Sequence, residues 1–367
     1  MKISTVNGQQ HPRTLIQWVA AAAIIALIFP AGKMNAQDAQ SETQPTLRLQ
    51  VDANDQVAAS MTSAYRVHIL PVNTTRSHQY SPLQNASGAL AVSPGVTNLE
   101  QTAAESLTST TTVPSLPAPG FYPSDLMNPL HGKVVTSAQS NPIYVDCAAT
   151  CWGTPATFLT NLDNSTFIHV TDQYVGLTTN GRYTVGGAAS VTYPVFTALS
   201  DNDILQIVHS AAKLIGTGYG HIYHVFLPSG VDVCFVGTSS CYSPNNTATF
   251  TFCAYHSSVT FSDIGHVLFT VEPYQAVSGC EVVQPSPNGA LIDSTSSVLS
   301  HETFETITDP DPPSGWVAQS SLPVLGAEIG DLCETPTFGY GAFVIGAKTY
   351  EVQPEYSNKY HGCANIP

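Results

Sequence analysis

One short stretch of the chain combines an imidazole and carboxylates at helical spacing. Its letters are S-S-V-L-S-H-E-T-F-E-T-I-T-D, from Ser296 to Asp309, and Pro310 follows directly. Residues four apart lie on one face of an α-helix, so His301 and Glu305 would present their side chains together. An imidazole nitrogen and a carboxylate oxygen are both ligands for a divalent metal ion. The spacing therefore predicts a metal-binding helix in this segment.

Glu302 directly follows His301 and is the predicted catalytic base of such a site. A carboxylate at this position would reach a water molecule held by the ion and take its proton. The pattern is that of the H-E-x-x-H zinc helix, with Glu305 in place of the second histidine.

The same letters also fit a helix with no chemical role. In that alternative the helix is amphipathic, its charges face solvent, and four apolar side chains point inward: Val298, Leu299, Phe304 and Ile307. The helix is expected to begin near one of three residues that favour N-terminal caps: Asp293, Ser294 or Ser296. It is expected to end just before Pro310, because the residue before a proline is biased away from helical geometry.

A second acidic segment follows the helix. Its letters, G-A-E-I-G-D-L-C-E, place Glu328 27 residues after His301 and Asp331 shortly beyond it. This arrangement resembles the gluzincin metalloproteases, in which a later helix supplies a glutamate ligand and a nearby aspartate supports a histidine ligand. The resemblance implies His301, Glu305 and Glu328 as ligands, with Asp331 or Asp309 orienting one of them. Zinc is the predicted ion, with calcium or manganese as alternatives because two carboxylates form a harder donor set.

The N-terminal 36 residues are predicted to be a secretory signal peptide. Lys2 and Arg13 precede a long apolar run, and cleavage is expected after Ala36. An uncleaved membrane anchor is the alternative, because the run from Leu15 to Ala31 is long for a signal core. After cleavage, no remaining stretch is apolar enough to span a bilayer.

Charge and composition restrict the partners. The signal carries three basic residues and no acid, so its removal takes the formal charge from −15 to −18. Such an acidic chain is a poor ligand for nucleic acid or anionic lipid. Only 10% of residues are charged, which favours an extracellular protein, or a periplasmic one in a Gram-negative bacterium. Peptides or cell-wall material are the expected partners.

The chain contains eight cysteines, all in its C-terminal part. An even number behind an export signal predicts four disulfides. Pairing of sequence neighbours is expected: Cys234–Cys241, Cys253–Cys280 and Cys333–Cys363, with Cys147 and Cys151 remaining. A zinc–thiolate site at Cys147 and Cys151 is the alternative, although an oxidising compartment disfavours it.

The cysteines also suggest where the domains lie. Residues 37–120 contain no cysteine and end in a Pro/Ser/Thr-rich run, which predicts a low-complexity, partly disordered region with a few strands and a linker. Residues 121–367 form the predicted domain, which is long enough for one substantial core. Its pattern of helix, three strands, the His301 helix and an acidic segment predicts an α+β, zincin-like fold.

Five blocks of this domain resemble the exordium, or phosphate-induced, protein family of secreted plant proteins and their bacterial relatives. In order, they are H-V-F-L-P-S-G (224–230), F-C-A-Y-H-S (252–257), S-H-E-T-F-E-T-I-T-D-P (300–310), Gly315-Trp316 and E-I-G-D-L-C (328–333). The resemblance covers roughly residues 142–363. It implies an extracellular location and no established catalytic activity.

Two functional classes remain open at this stage. One is a zinc-dependent peptidase that uses Glu302 as its general base. The other is a non-catalytic cell-wall or signalling protein on a zincin-like scaffold, whose metal is structural or absent. His256 lies in one of the family blocks and is an additional ligand or substrate contact in one interpretation, while a strand histidine packed near a disulfide is favoured.

Overall fold

The computed structural model describes residues 46–51, 67–72, 122, 124–194, 198–282, 286–318, 327–334 and 341–367. These residues form a mixed α+β fold, as expected from the sequence. The helices are α1 (Pro155–Asp163), α2 (Asp172–Val175), α3 (Asp201–Ile215) and α4 (Ala290–Thr308), and short 3₁₀ helices span Ala149–Trp152, Phe167–Thr171 and Asp331–Cys333. The predicted signal peptide and most of the predicted linker region lie outside the described residues.

Sixteen strands are described, and many are very short. In chain order they are β1 (Leu47–Gln50), β2 (Val67–Pro71), β3 (Leu126–Met127), β4 (Gln139–Val145), β5 (Ala189–Thr192), β6 (Ala198–Ser200), β7 (His221–Phe226), β8 (Asp232–Cys234), β9 (Cys241–Tyr242), β10 (Phe252–Phe261), β11 (Gly265–Glu272), β12 (Val317–Ala318), β13 (Gly341–Ile345), β14 (Lys348–Val352), β15 (Glu355–Ser357) and β16 (Gly362–Ala364).

Seven of these strands form one central sheet, in the order β1-β5-β4-β7-β11-β10-β2. The pairs from β1 to β11 are parallel, whereas β10 is antiparallel to both of its neighbours. The central strands of the sheet, such as β7, are buried on both faces, which explains their nearly continuous apolar sequence. One face packs with α3 through Tyr223 and Val225, and the other packs with α1 and α4 through Ile222 and Phe226.

Helix α4 is the central element of the second layer. All of its residues from Asp293 to Thr308 are buried, so the alternative of an amphipathic helix with solvent-facing charges is wrong. Gly289 is the N-cap, and the helix therefore begins before the three predicted cap residues. It ends at Thr308, as expected from Pro310.

The polar hydroxyls of α4 find partners within the helix itself. Thr303, Thr306 and Thr308 each donate to the carbonyl oxygen four residues earlier, over 2.6, 2.7 and 3.0 Å. Burying a hydroxyl is costly unless it is hydrogen-bonded, so these bonds allow a Ser/Thr-rich helix to lie in the interior. The buried His301 and Glu305 of the same helix contact each other, with His301 Nε2 3.1 Å from Glu305 Oε1.

Part of the predicted linker region belongs to this sheet. Strands β1 and β2 lie between residues 46 and 72, and both pair with strands of the C-terminal part. The described residues from 46 to 367 form one compact unit. The compact unit therefore begins well before residue 121, the expected start of the domain. Alternation at Val67 and Ile69 is the sequence signal for β2.

The cysteines form four disulfides, at the expected pairs. No cysteine of the chain is left free, so the zinc–thiolate alternative for Cys147 and Cys151 is wrong. None of the described helices meets the length and apolarity that a membrane crossing requires.

Reduction of the Cys333–Cys363 bridge is expected to destabilise the protein by about 2–5 kcal/mol, because the bridge constrains the unfolded chain over a separation of 30 residues. Thermal unfolding with and without reductant measures this effect. Alkylation before reduction, followed by mass spectrometry, tests the pairing itself. Two or more thiols that label readily in the native protein would contradict the fourfold pairing.

Candidate metal centre

Four parts of the fold meet at one buried pocket. Strands β10 and β2 contribute His256 and His68, which are cross-strand partners in the antiparallel register and therefore lie on the same face of the sheet. Their ring centroids are 5.4 Å apart. Helix α4 contributes Glu302 and Glu305, and the first residue of the last 3₁₀ helix is Asp331. These donors form two groups whose geometry suits a metal ion.

The first group is His256, Glu302 and Glu305. His256 Nδ1 lies 3.3 Å from Glu302 Oε2 and 3.4 Å from Glu305 Oε2. On the other side of the ring, Nε2 lies 3.1 Å from the carbonyl oxygen of Asp309. Because a carbonyl only accepts, Nε2 carries a proton, and in the neutral form of the ring the Nδ1 lone pair would face the carboxylates.

The second group is His68, Glu305 and Asp331. His68 Nε2 lies 2.8 Å from Asp331 Oδ2 and 3.9 Å from Glu305 Oε2. Its other nitrogen, Nδ1, lies 3.0 Å from Glu328 Oε1. Asp331 is also fixed by the backbone, since its Oδ2 accepts a 2.9 Å hydrogen bond from the amide of Glu328.

The structure places the three predicted ligands in one buried pocket, although not in one group. Glu305 belongs to both groups, whereas His301 and Glu328 belong to neither. Glu328 spans the two other histidines, with Oε2 3.6 Å from His256 Nε2. Glu302, the predicted catalytic base, is itself a member of the first group.

His301 has a different environment from the one expected of a ligand. Gln353 Nε2 donates to the carbonyl oxygen of Gly330 over 3.0 Å, which identifies that atom as the amide nitrogen. The same nitrogen lies 3.0 Å from His301 Nδ1, which must therefore accept. The proton of the neutral ring is then on Nε2, 3.1 Å from Glu305 Oε1. This arrangement suits a histidine that orients Glu305.

The two aspartates expected to orient ligands have distinct surroundings. Asp331 reaches the pocket directly as a member of the second group. Asp309 acts on His256 through its backbone carbonyl, while its side-chain Oδ1 accepts a 2.8 Å hydrogen bond from the amide of Gly315. The side chain of Asp309, which was expected to orient a ligand, therefore does not make the contact with His256.

Burial and mutual charge shift the protonation of the whole pocket. Burial raises the pKa of Glu328 to about 8, despite the opposing effect of His68. Burial lowers the pKa of His256, but Glu328 and the bonds to Glu302 and Glu305 outweigh it and bring the value to about 10. Burial also acts against ionised Glu305, yet His301 and His68 hold its pKa well below the usual range. The site therefore favours the negative form of its central carboxylate.

The pocket contains more acceptors than the described residues satisfy. Oε1 of Glu302 is buried without a hydrogen-bond partner, and the oxygens of Glu305 and Glu328 have only the histidine nitrogens described above as partners. An unpaired buried charge costs several kcal/mol, so buried carboxylates are normally paired or bound to metal. Carboxylate oxygens beside imidazole nitrogens are donors that zinc and manganese accept. The residues present therefore fit a divalent cation.

Two of the histidines were not predicted as ligands. His68 lies in the region predicted to be low-complexity and partly disordered. Its only sequence signal is the alternation of apolar residues in β2. His256 was recognised as an alternative ligand, but the packed-histidine interpretation was favoured. Its antiparallel partner across the sheet is His68, and this pairing depends on strand register that a single sequence does not give.

Gly330→Ala is expected to displace His301 and destabilise the protein by about 1–3 kcal/mol, as overpacking does. A Cβ at Gly330 would lie 2.4 Å from His301 Nδ1. Gly187→Ala is the matched control, because a Cβ there would meet nothing within 4 Å. Urea unfolding of both variants measures the difference. Equal stability of the two variants would show that the His301 ring moves away at little cost.

Comparisons of the chain with protein-family models, with curated proteins and with solved structures gave no match. The site is therefore interpreted from its own residues.

Proposed function

We propose that this chain is an exported metalloprotein that holds a divalent cation in the pocket between β10, β2 and α4. The observation that carries the proposal is the convergence of fully buried carboxylates, including Glu305 and Glu328, on buried histidine nitrogens. Without a cation, the charge of these carboxylates would be balanced by the buried histidines alone.

The roles of the residues follow from their contacts. His256 offers Nδ1, because Asp309 retains the proton on Nε2. Glu302 and Glu305 offer carboxylate oxygens from adjacent turns of α4. His301 donates towards Glu305 and keeps that carboxylate turned into the pocket. The nearby carboxylates raise the pKa of His301 although burial lowers it. A bound cation would offset their charge and favour the neutral ring that Gln353 requires.

The donor set favours zinc or manganese over calcium, because calcium is usually held by oxygen ligands alone. An open zinc site would supply a water molecule of pKa about 7. In this pocket, however, Glu302, Glu305, His256 and Glu328 are all fully buried. A peptide bond has no access to Glu302 in that arrangement. The geometry therefore supports a non-catalytic metal centre best.

Membership of the exordium-like group and export from the cell are part of the same proposal. The ordered blocks near His224, His256 and His301 support the relationship, because two of those histidines lie at or beside the pocket. The four disulfides are compatible with an oxidising compartment. Cell-wall material is the partner class that this function implies.

A zincin-like peptidase is the second candidate, with peptides as substrates. The observation in its favour is Glu302, whose Oε1 is buried and unpaired directly beside the metal-binding donors. Burial raises the pKa of this carboxyl, which suits a group that accepts a proton near neutral pH. The succession of α3, strands, α4 and the Glu328 segment supports the zincin-like arrangement.

Metal analysis of the purified full chain tests the main proposal. The chain is expected to retain zinc or manganese after extensive dialysis and to lose it to a strong chelator. A wild-type protein that is folded, free of metal after purification, and unable to take up either ion would refute the proposal.

Glu302→Gln separates the two candidates. A peptidase that uses Glu302 as its base would lose activity by about 100- to 10,000-fold while remaining folded, because Gln keeps the size but cannot accept the proton. The non-catalytic centre predicts that neither the wild type nor this variant cleaves a broad peptide library. Asp263→Asn, on an exposed loop, is the matched control for removing one carboxylate. Cleavage by the wild type and by Asp263→Asn, but not by Glu302→Gln, would establish the peptidase.

A further inference from the structure

We propose that the pocket holds two divalent cations side by side, bridged by Glu305. This inference rests on the proposed metal binding and extends it to a count and an arrangement. One ion would lie among His256, Glu302 and Glu305, and the other among His68, Glu305 and Asp331.

The shared carboxylate is the first argument. Glu305 is the only residue common to the two groups found among the described residues. Its Oε2 lies between the two histidines, 3.4 Å from His256 Nδ1 and 3.9 Å from His68 Nε2. Carboxylate-bridged pairs of ions about 3.5–4 Å apart are a recurring arrangement in proteins. Glu305 is fully buried; its Oε1 faces His301 Nε2, and its Oε2 is the oxygen that faces both His256 and His68.

The separation of the donors is the second argument. Two donors on the same ion cannot be farther apart than twice the bond length, about 4.4 Å for zinc. Within each group all donor atoms lie within 4.8 Å of one another, but the donors do not combine into one larger group. One ion would therefore leave the donors of one group unused, whereas two ions use both sets.

Each histidine also has its own orienting partner on the side away from the ions. The carbonyl oxygen of Asp309 lies 3.1 Å from His256 Nε2, and Glu328 Oε1 lies 3.0 Å from His68 Nδ1. In each histidine, the other ring nitrogen faces Glu305 and would be the atom that binds the ion. Ligating histidines usually have such a partner on the second nitrogen. This is the arrangement expected if each histidine binds a separate ion.

Manganese(II) titration of the full chain tests the count. The wild type is expected to bind two ions per chain, measured by elemental analysis after removal of free metal. Two adjacent ions should also give an exchange-coupled electron paramagnetic resonance spectrum, which differs from that of isolated manganese(II). This measurement can be made on the wild type alone. His68→Ala and His256→Ala are each expected to retain one ion and to lose the coupled spectrum. His209→Ala, an outlying histidine that contacts Asp263, should retain both ions.

The possible failures can be distinguished. One ion per wild-type chain, or two ions without magnetic coupling, would overturn the bridged pair while leaving the proposed metal function intact. A folded wild type that binds no manganese and no zinc would overturn both. Circular dichroism of each variant confirms that loss of an ion does not reflect loss of the fold.

Discussion

Removal of the bound cation is expected to lower the melting temperature of the full chain by roughly 10 °C. An ion that binds only the folded state stabilises it by about 4 kcal/mol when its free concentration is 1,000 times the dissociation constant. Each kcal/mol corresponds to about 2–4 °C in a chain of comparable size. The effect is large because the fully buried carboxylates of Glu305 and Glu328 otherwise have only histidines as partners. Thermal unfolding with and without a chelator measures it.

Glu305→Gln is the decisive variant for this expectation, since it keeps the shape of the side chain and removes the bridging charge. Its melting temperature should respond little to the chelator. Asp263→Asn removes a carboxylate on an exposed loop and should keep the full response of the wild type. The same chelator response in Glu305→Gln and in the wild type would show that the ion is bound elsewhere.

A chain shortened to begin at residue 121 is expected to lose cooperative unfolding and metal retention. It would lack β2, whose residues pair with β10 from Phe252 to Ser257. Loss of the buried Leu70 side chain alone would cost about 1.5–3 kcal/mol. Loss of the β2 hydrogen bonds would add to that cost, and His68 would be lost from the centre. Comparison with a chain that begins at residue 37, by calorimetry and elemental analysis, measures the difference.

His68→Ala in the longer chain separates the two causes. It removes the imidazole but keeps β2 paired, so it should lose metal while retaining more stability than the shortened chain. Proteolysis near Gly120 gives a complementary measurement. The sequence predicts a cut there, and the pairing of β2 predicts that the N-terminal piece stays bound under native conditions although no disulfide holds it. A shortened chain as stable as the longer one would contradict the importance of β2.

The sequence predicted the element that carries most of the site, because α4 has a local signal. The spacing of His301, Glu302 and Glu305 depends only on helical geometry, and Pro310 marks the end of the helix. Helix α3 could also be predicted from the sequence, because the residues from Ser200 to Asp203 favour a helix start. In the structure Ser200 and Asp203 form a capping box there. The disulfide pairs were also predicted correctly, because each cysteine bonds to the next cysteine along the chain.

The histidines of the centre were harder to predict because they meet through long-range register. His68 and Asp331 lie 263 positions apart, and no local pattern connects them. His301 was expected to be a ligand because the motif resembles a zinc helix, yet its tautomer is determined by Gln353, which lies on a separate strand connection. The burial of α4 was not predicted, because Ser and Thr residues in a sequence usually indicate a solvent-exposed surface. In this helix their hydroxyls are hydrogen-bonded to carbonyl oxygens of the helix and can therefore be buried.

The distance along the chain between His68 and Asp331 has a consequence for biosynthesis. Their contact joins residues separated by 263 positions, so the second group of donors cannot assemble until the ribosome has passed Asp331. Closing so large a loop is slow and comes late in folding. If the pocket binds metal as proposed, a chain that has not reached Asp331 has no complete centre with which to sequester it. Loading would then follow the synthesis of both parts of the second group.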